Sequence, residues 1–176
     1  YRNNLGVICE SQGKQSEAVE QFQTAMRLRP ESAVYANNLG SILSEMGHLE
    51  EAHRLISDAI RRRPDFSEAH GNMGNVLMRQ GEIAQAIQAY RRAIAAAPQK
   101  ISSRANLLLT LHYDPTISAR QIYEEHLACG KWTASVVGKI PAHTNDRDPH
   151  RKLRIGYISA DFRAHSVAFF IMPAID

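Results

Sequence analysis

The sequence predicts a mainly α-helical repeat protein whose last residues open an α/β unit. The first observation is a period of 34 residues that relates many positions of the first hundred residues. Within each period, small residues, one bulky apolar residue and a proline recur in the same order, as expected of paired helices that pack closely. The second observation is a change near residue 153, where helical periodicity gives way to a short β-type run.

The period is clearest around Asn38, Leu39 and Gly40. A step of 34 residues back reaches Asn4–Gly6, and a step forward reaches Asn72–Gly74. The same step relates further columns of residues: Gly13, Gly47 and Gly81; Ala18, Ala52 and Ala86; Phe22, Ile56 and Tyr90; Ala25, Ala59 and Ala93; and Pro30, Pro64 and Pro98. Agreement at that many positions predicts stacked helical hairpins that share a continuous core.

Each recurring residue has a packing role in the hairpin from 33 to 66. Gly40 lets the second helix approach the first, because a side chain there would hold the two apart. Gly47 lies where the chain leaves the first helix, and we expect a positive φ there. Ile56 fills the gap between two alanines of the second helix. Pro64 ends that helix, because its ring cannot continue the hydrogen-bond ladder.

The period divides the first part of the chain into three clean repeats and a degenerate fourth: 1–32, 33–66, 67–100 and 101–138. In the fourth repeat Asn106 stays in phase, but Leu108 replaces the glycine and Asp114–Pro115 takes over the turn. Ser118 and Gln121 have the spacing of a capping box for the helix that follows. Terminal repeats usually degenerate in this way because they pack against a different neighbour.

Residues 139–176 do not follow the 34-residue period. Residues 139–152 are polar, contain proline and have no periodicity, which indicates a linker. Residues 153–159 form a β-type run, and after a short loop Ser166 can cap an apolar helical segment. Strand, loop and helix open an α/β domain, and one such unit cannot form a core. We therefore expect a longer parent protein.

Composition and charge bear on the class of partner. The chain has 21 Lys and Arg against 18 Asp and Glu, a net charge of +3 that is too small to indicate nucleic acid. The densest basic cluster, Arg61–Arg63, falls in the last turn of a helix, where cations complement the helix dipole; a phosphate-binding patch is the alternative. No apolar run approaches the roughly 18–20 residues that span a bilayer, so we expect no membrane contact.

The cysteines indicate the cellular compartment, and the histidines indicate whether a metal site is present. Cys9 and Cys129 are far apart and form no paired motif, which fits a reducing compartment and hence a cytoplasmic protein. The eight histidines show no spacing typical of metal ligands. The sequence therefore predicts no metal site.

An asparagine column is the first candidate for binding. Asparagine is a poor residue for a helix interior, yet it recurs at every step, as Asn4, Asn38, Asn72 and Asn106. An amide both donates and accepts hydrogen bonds, so such a column can bind an extended polypeptide backbone. Neighbouring amides could widen it: Asn3, Asn37 and Asn75. In the alternative interpretation, the amides bond to one another between hairpins and only stabilise the stack.

His165 is the candidate for chemistry. It lies between the end of the predicted strand and the start of the following helix, where α/β folds place ligands. The amides at such a helix start attract phosphate or developing negative charge. A histidine there could act as a general base or as a hydrogen-bond donor; the alternative is an exposed loop histidine. No GxGxxG motif is present, which argues against dinucleotide binding.

Three segments carry a family resemblance. The repeats resemble the tetratricopeptide repeat, whose 34-residue unit has this order of Leu-Gly, Ala, aromatic, Ala and Pro. Residues 153–166, Leu-Arg-Ile-Gly-Tyr-Ile-Ser-Ala-Asp-Phe-Arg-Ala-His-Ser, resemble the start of the catalytic region of O-GlcNAc transferase and Spindly-type proteins. That family (glycosyltransferase family 41) comprises inverting, metal-independent enzymes of the GT-B fold. Residues 106–115 resemble the junction in its bacterial members.

The resemblance implies a mainly α tetratricopeptide superhelix at 1–138, followed from 153 to 176 by the first β-α unit of a GT-B (Rossmann-like) catalytic domain. It implies that His165 is catalytic and that Asp161 and Ser166 shape the active-site loop. The asparagine column would line the concave groove and bind the acceptor peptide. There would be no cofactor beyond a nucleotide-sugar donor, UDP-GlcNAc, held mainly by residues beyond 176.

The implied function is that of the N-terminal part of a protein O-glycosyltransferase. The repeats would present Ser or Thr acceptors of a polypeptide to an inverting site, and the present chain alone would be inactive. GDP-fucose is an alternative donor. A different class, a non-catalytic repeat scaffold that binds partner proteins, also fits, and the sequence encoded downstream of Asp176 would distinguish the two.

Overall fold

The structure, a computed structural model, describes residues 1–137, which form eight α-helices and no strand. The prediction of a mainly α-helical repeat array is confirmed for these residues. The predicted linker and the β-α unit lie outside them. The helices are α1 (Arg2–Ser11), α2 (Gln15–Leu28), α3 (Ala33–Glu45), α4 (Leu49–Arg62), α5 (Ser67–Gln80), α6 (Ile83–Ala96), α7 (Ile101–Leu111) and α8 (Ala119–Val137).

The helices pair in chain order into four hairpins, and each hairpin packs against the next. The second helix of one hairpin contacts the first helix of the following one, and the first helices α3 and α5 also touch. One hydrophobic cluster runs through the array from Cys9 to Leu111. Because no single hairpin can bury its apolar face, this shared core is what makes the array stable. None of the described helices is both long and apolar enough to cross a membrane.

Close helix approach explains the glycine of each first helix. A Cβ placed on Gly40 would stand 2.7 Å from Cγ1 of Ile56, and one on Gly6 would stand 2.5 Å from the ring of Phe22. Both distances are shorter than any ordinary contact, so the packing role predicted for Gly40 is confirmed. The partner side chain Ile56 is fully buried, as predicted for the residue that fills this gap.

The turn inside each regular hairpin uses a second glycine. Gly47 has φ +90°, which confirms the predicted left-handed conformation, and Gly13 and Gly81 share it. The turn is closed by the His48 N–H, which donates to the carbonyl of Leu43 at 2.9 Å. Such bonds satisfy carbonyl groups that the end of a helix leaves free.

The fourth hairpin is held by polar contacts. The carboxylate of Asp114 accepts from the backbone N–H of Thr116 at 2.9 Å, which fixes the turn after α7. The predicted capping box is confirmed: the Ser118 N–H donates to Oε1 of Gln121 at 2.8 Å, and the Gln121 N–H donates to Oγ of Ser118 at 3.3 Å. None of the residues of α8 is buried. This hairpin therefore packs far more loosely than the other three.

Candidate functional site

All members of the asparagine column lie on the first helices of the hairpins: α1, α3, α5 and α7. We call the side of the array that these four helices form the first-helix face. Two depressions open on it, with volumes of about 340 and 320 Å³. Asn72, Asn75 and Asn106 line both of them, so the two are neighbouring parts of one polar trough.

The amides form a hydrogen-bonded ladder between hairpins. Asn38 Nδ2 donates to Asn3 Oδ1 at 2.9 Å, and Asn72 Nδ2 donates to Asn37 Oδ1 at 3.0 Å. Donor and acceptor are 35 residues apart in both bonds. Within α3, Asn37 Nδ2 donates to Asn38 Oδ1 at 3.2 Å and so connects the two bonds. The contacts between hairpins that the second interpretation of the column required are therefore present.

The ladder changes its partner at the last step. The same offset from Asn106 would reach residue 71, which is glycine and has no side chain to accept a bond. Asn106 Nδ2 instead donates to Oδ1 of Asn75 at 3.0 Å. Asn75 Oδ1 also accepts from the hydroxyl of Tyr90 at 2.8 Å, and burial raises the pKa of Tyr90 to about 12, so this phenol remains a proton donor at neutral pH.

The ladder leaves hydrogen-bonding capacity open to solvent. A primary amide carries two N–H donors and an oxygen with two lone pairs, and Asn72 and Asn106 each donate one bond within the described residues. Asn38, Asn72 and Asn106 are partly exposed, whereas Asn37 is only 3% exposed. Asn4 is exposed and its side chain bonds to no other described residue. Stacking and binding are therefore compatible roles for these amides.

Charged residues stand around the trough. Lys100 pairs with Glu68 at one depression, and the hydrogen bond from Lys100 holds the pKa of the Glu68 carboxyl below its usual range. Arg79 lines the other depression and donates from Nη1 to the carbonyl of Ser44 at 2.7 Å. At the N-terminal end of the array, burial and the nearby charge of Glu45 raise the pKa of Glu10. The trough thus carries both signs of charge.

The remaining predictions concern the catalytic residues and metal binding. His165, Asp161 and Ser166 lie outside the described residues, so their roles stay predictions. Within residues 1–137, no group of three or more His, Cys, Asp or Glu side chains is placed to hold a metal ion. The trough is also lined by Ser103, Lys100 and Arg79, which the sequence pattern did not indicate. Their positions in the repeat carry no recurring residue type that could have identified them.

Two segments of the chain match the tetratricopeptide repeat: residues 1–32 and residues 37–101. Together they cover the three regular hairpins and the start of α7. This part of the chain belongs to the tetratricopeptide repeat family. The 34-residue period, the close-packed glycines and the turn glycines described above are how these tetratricopeptide repeats are built.

Among proteins of similar sequence are plant proteins named SPINDLY. Over 74 residues, which are 42% of this chain, the sequence is 34% identical to a Petunia hybrida protein named as a probable UDP-N-acetylglucosamine–peptide N-acetylglucosaminyltransferase, SPINDLY. A Solanum lycopersicum protein of the same name is 32% identical over the same length. The matched residues are only 8% of the length of each plant protein. The chain thus resembles a small part of proteins with that name.

Two solved structures have the same fold as this chain. The O-GlcNAc transferase of Thermobaculum terrenum, solved as a mutant, superposes with a TM-score of 0.80 and 26% identity, covering 99% of this chain and 34% of that one. The second tetratricopeptide domain of human RPAP3, solved in complex with an HSP70 peptide, has a TM-score of 0.57 and 18% identity, covering 62% and 91%. The chain therefore resembles O-GlcNAc transferase and SPINDLY, as the sequence predicted.

Proposed function

We propose that the first-helix face binds an extended stretch of polypeptide, and that the asparagine amides hold its backbone. The observation that carries the proposal is the ladder itself, because it fixes several amides in a row while leaving donors and acceptors free. Pre-oriented polar groups bind without the entropy cost of ordering them first. The human RPAP3 domain, a structure of the same fold, holds an HSP70 peptide and gives the proposal a precedent.

Amides of this kind recognise backbone more than sequence. Every residue of an extended peptide presents one N–H and one C=O, and an asparagine side chain pairs with both. The trough would therefore accept many polypeptides, with preferences set by the groups at its edges. Such broad recognition suits an enzyme that modifies many proteins.

The parent protein, on this proposal, is a nucleotide-sugar-dependent protein glycosyltransferase of the O-GlcNAc transferase type that works in the cytoplasm. The tetratricopeptide repeats would deliver Ser or Thr hydroxyls to an inverting GT-B site that begins at about residue 153. His165 would be its catalytic residue, and Asp161 and Ser166 would shape the loop around it. Positioning of the acceptor would then supply part of the rate. UDP-GlcNAc is the proposed donor and GDP-fucose the alternative.

Binding is tested with the chain of 176 residues and a fluorescein-labelled 15-residue peptide of alternating Gly, Ser and Thr. Each hydrogen bond contributes about 0.5–1.5 kcal/mol, so the double variant Asn38→Ala, Asn72→Ala should weaken binding about tenfold by fluorescence anisotropy. The matched control is Gln23→Ala, which removes an exposed amide from a second helix and should change nothing. Equal affinities for the double variant and the wild type would refute the proposal.

The enzymatic part is tested on the complete protein. His165→Ala should abolish transfer of sugar from UDP-GlcNAc or GDP-fucose to a Ser/Thr peptide, and the present chain alone should transfer none. Full activity of the His165→Ala variant would show that the catalytic assignment is wrong. If instead the gene stops soon after codon 176, the non-catalytic scaffold is the better description, and the peptide-binding result would stand.

A further inference from the structure

The irregular step of the ladder leaves a gap in the first-helix face at Gly71. In the two preceding hairpins the corresponding position carries an amide, Asn3 or Asn37, that accepts a bond from the next hairpin. At Gly71 that amide is missing, and Asn106 turns to Asn75 instead. The depression of about 320 Å³ described above includes Gly71 in its lining. The gap is therefore the place where one member of the ladder is absent.

The hydroxyl of Ser103 faces the gap. A Cβ built on Gly71 would stand 3.3 Å from Oγ of Ser103 and within 4 Å of no other neighbouring side chain. Ser103 is only 6% exposed as a residue, but its Oγ is not among the fully buried atoms without a partner in the described residues, so this hydroxyl reaches the depression that Ser103 lines. Ser67, which lines the same depression, is different because its hydroxyl donates to the carbonyl of Ala93 at 2.9 Å. The hydroxyl of Ser103 can therefore donate or accept a hydrogen bond with a ligand in the depression.

We propose that the gap at Gly71 is a subsite for a side-chain carboxamide, that of Asn or Gln, belonging to the polypeptide bound on the first-helix face. The inference rests on the proposed function, because the polypeptide supplies the carboxamide. The ligand takes the place of the missing ladder amide: its carbonyl oxygen accepts a hydrogen bond from the second N–H of Asn106, and its NH2 group donates to Oγ of Ser103. It is the same chemical group that Asn3 and Asn37 provide in the regular hairpins.

Other side chains fit the subsite less well. An apolar side chain would cover Ser103 and the amides without bonding to them, which leaves buried polar groups unpaired. A carboxylate or an ammonium group would meet charges that already neutralise each other, since Lys100 and Glu68 are paired at the edge of the depression. A neutral group that both donates and accepts matches the lining, and a carboxamide does both.

The experiment compares guest residues in one host peptide. The host is the 15-residue Gly/Ser/Thr peptide with a single central guest, either Gly, Gln, Leu or Glu, titrated with the full 176-residue chain by fluorescence anisotropy. We expect the Gln guest to bind about five- to tenfold more tightly than the Gly guest, the gain of one to two net hydrogen bonds. The Leu and Glu guests should bind no better than Gly.

Two substitutions at the same position separate the subsite from the rest of the trough. Gly71→Asn places a carboxamide at the position held by Asn3 and Asn37 in the preceding hairpins and so occupies the gap. Its Cβ would stand 3.3 Å from Oγ of Ser103, a contact that a small movement of this hydroxyl relieves. The substitution should remove the preference for Gln, measured for each variant as the ratio of its own affinities for the Gln-guest and Gly-guest peptides. Gly71→Ala adds the same Cβ but leaves most of the gap open, and should keep the preference.

The outcomes are distinguishable. If the wild-type chain binds the Gly-guest peptide but shows no preference for Gln, or if the preference survives in Gly71→Asn, the subsite is wrong and the polypeptide-binding face stands. If the wild-type chain binds no host peptide, the proposed function fails and the subsite fails with it.

Circular dichroism of both variants shows whether the helices are retained. If Gly71→Asn does not fold, N-acetylglutamine methylamide added to the ¹⁵N-labelled wild-type chain supplies the answer: shifts of the Gly71 and Ser103 amide signals support the subsite, and their absence, with N-acetylleucine methylamide as the control, overturns it.

Discussion

The second hairpin, α3–α4, and the fourth, α7–α8, have the same order of helices but are held together by different forces. In the second, Gly40 lets the helices approach, and Ile56 is completely buried between them. In the fourth, Leu108 stands at the glycine position and no residue of the second helix is buried. Tyr123 and Leu127 of α8 are 64% and 44% exposed. Small residues at the crossing, more than the overall apolar content, decide how closely two helices pack.

The difference has consequences for stability. Burying an isoleucine contributes about 1.5–3 kcal/mol, and the second hairpin buries several such groups. The second helix of the fourth has only partly buried apolar contacts, such as Ile122, beside the capping box and the exposed pair of Arg91 and Glu125, with Nη2 and Oε1 3.0 Å apart. An exposed ion pair contributes at most about 1 kcal/mol, and a helix cap contributes about as much. Repeat arrays open locally, so we expect α8 to open first.

The largest expected effect comes from emptying the core of the regular hairpin. Ile56→Ala should lower the free energy of unfolding by about 2–5 kcal/mol, because the fully packed site leaves a cavity. Ile122→Ala in α8, where the side chain is only partly buried, should cost less than half as much. Urea unfolding followed by circular dichroism measures both. Similar losses for the two variants would contradict the distinction between the hairpins.

The next effect tests helix approach with the same chemical change at two sites. Gly40→Ala forces a methyl group to within 2.7 Å of Ile56, and overpacking of this kind typically costs about 1–3 kcal/mol. Gly130→Ala in α8 meets nothing within 4 Å and should stabilise its helix by up to about 1 kcal/mol. Opposite signs in thermal unfolding would support the comparison. A loss of stability in both would mean that α8 also packs tightly at Gly130.

The smallest effect is local. Ser118→Ala removes the hydroxyl that caps α8 and should cost about 1 kcal/mol, felt as faster amide hydrogen exchange in α8 with little change in α3–α6. Ser32→Ala is the counterpart at α3, where Oγ accepts from the Tyr35 N–H at 3.4 Å. Because the second hairpin is also held by its core, exchange in α3 should hardly change. Equal acceleration in both helices would show that the fourth hairpin is no weaker than the second.

The sequence alone predicted the features that repeat. The period identified Gly40 as a close contact and Gly47 as a left-handed turn residue, because each has a steric requirement that only glycine meets. It also placed the capping box, whose spacing is local. It could not decide what the asparagines bond to, because the partners come from neighbouring hairpins and the offset of 35 residues differs from the period by one. The sequence did not indicate Ser103 or the gap at Gly71. Both become visible only because position 71 lacks the amide side chain that positions 3 and 37 carry.

The ladder also has a direction. The second hairpin donates a hydrogen bond to the first, from Asn38 to Asn3, and accepts one from the third, from Asn72 to Asn37. A duplicated copy of residues 33–66 inserted at its own boundary would find a donor on one side and an acceptor on the other, so the array can lengthen by whole units without loss of a bond. Gene duplication can therefore extend the first-helix face in steps of one hairpin, with all the ladder hydrogen bonds running in the same direction.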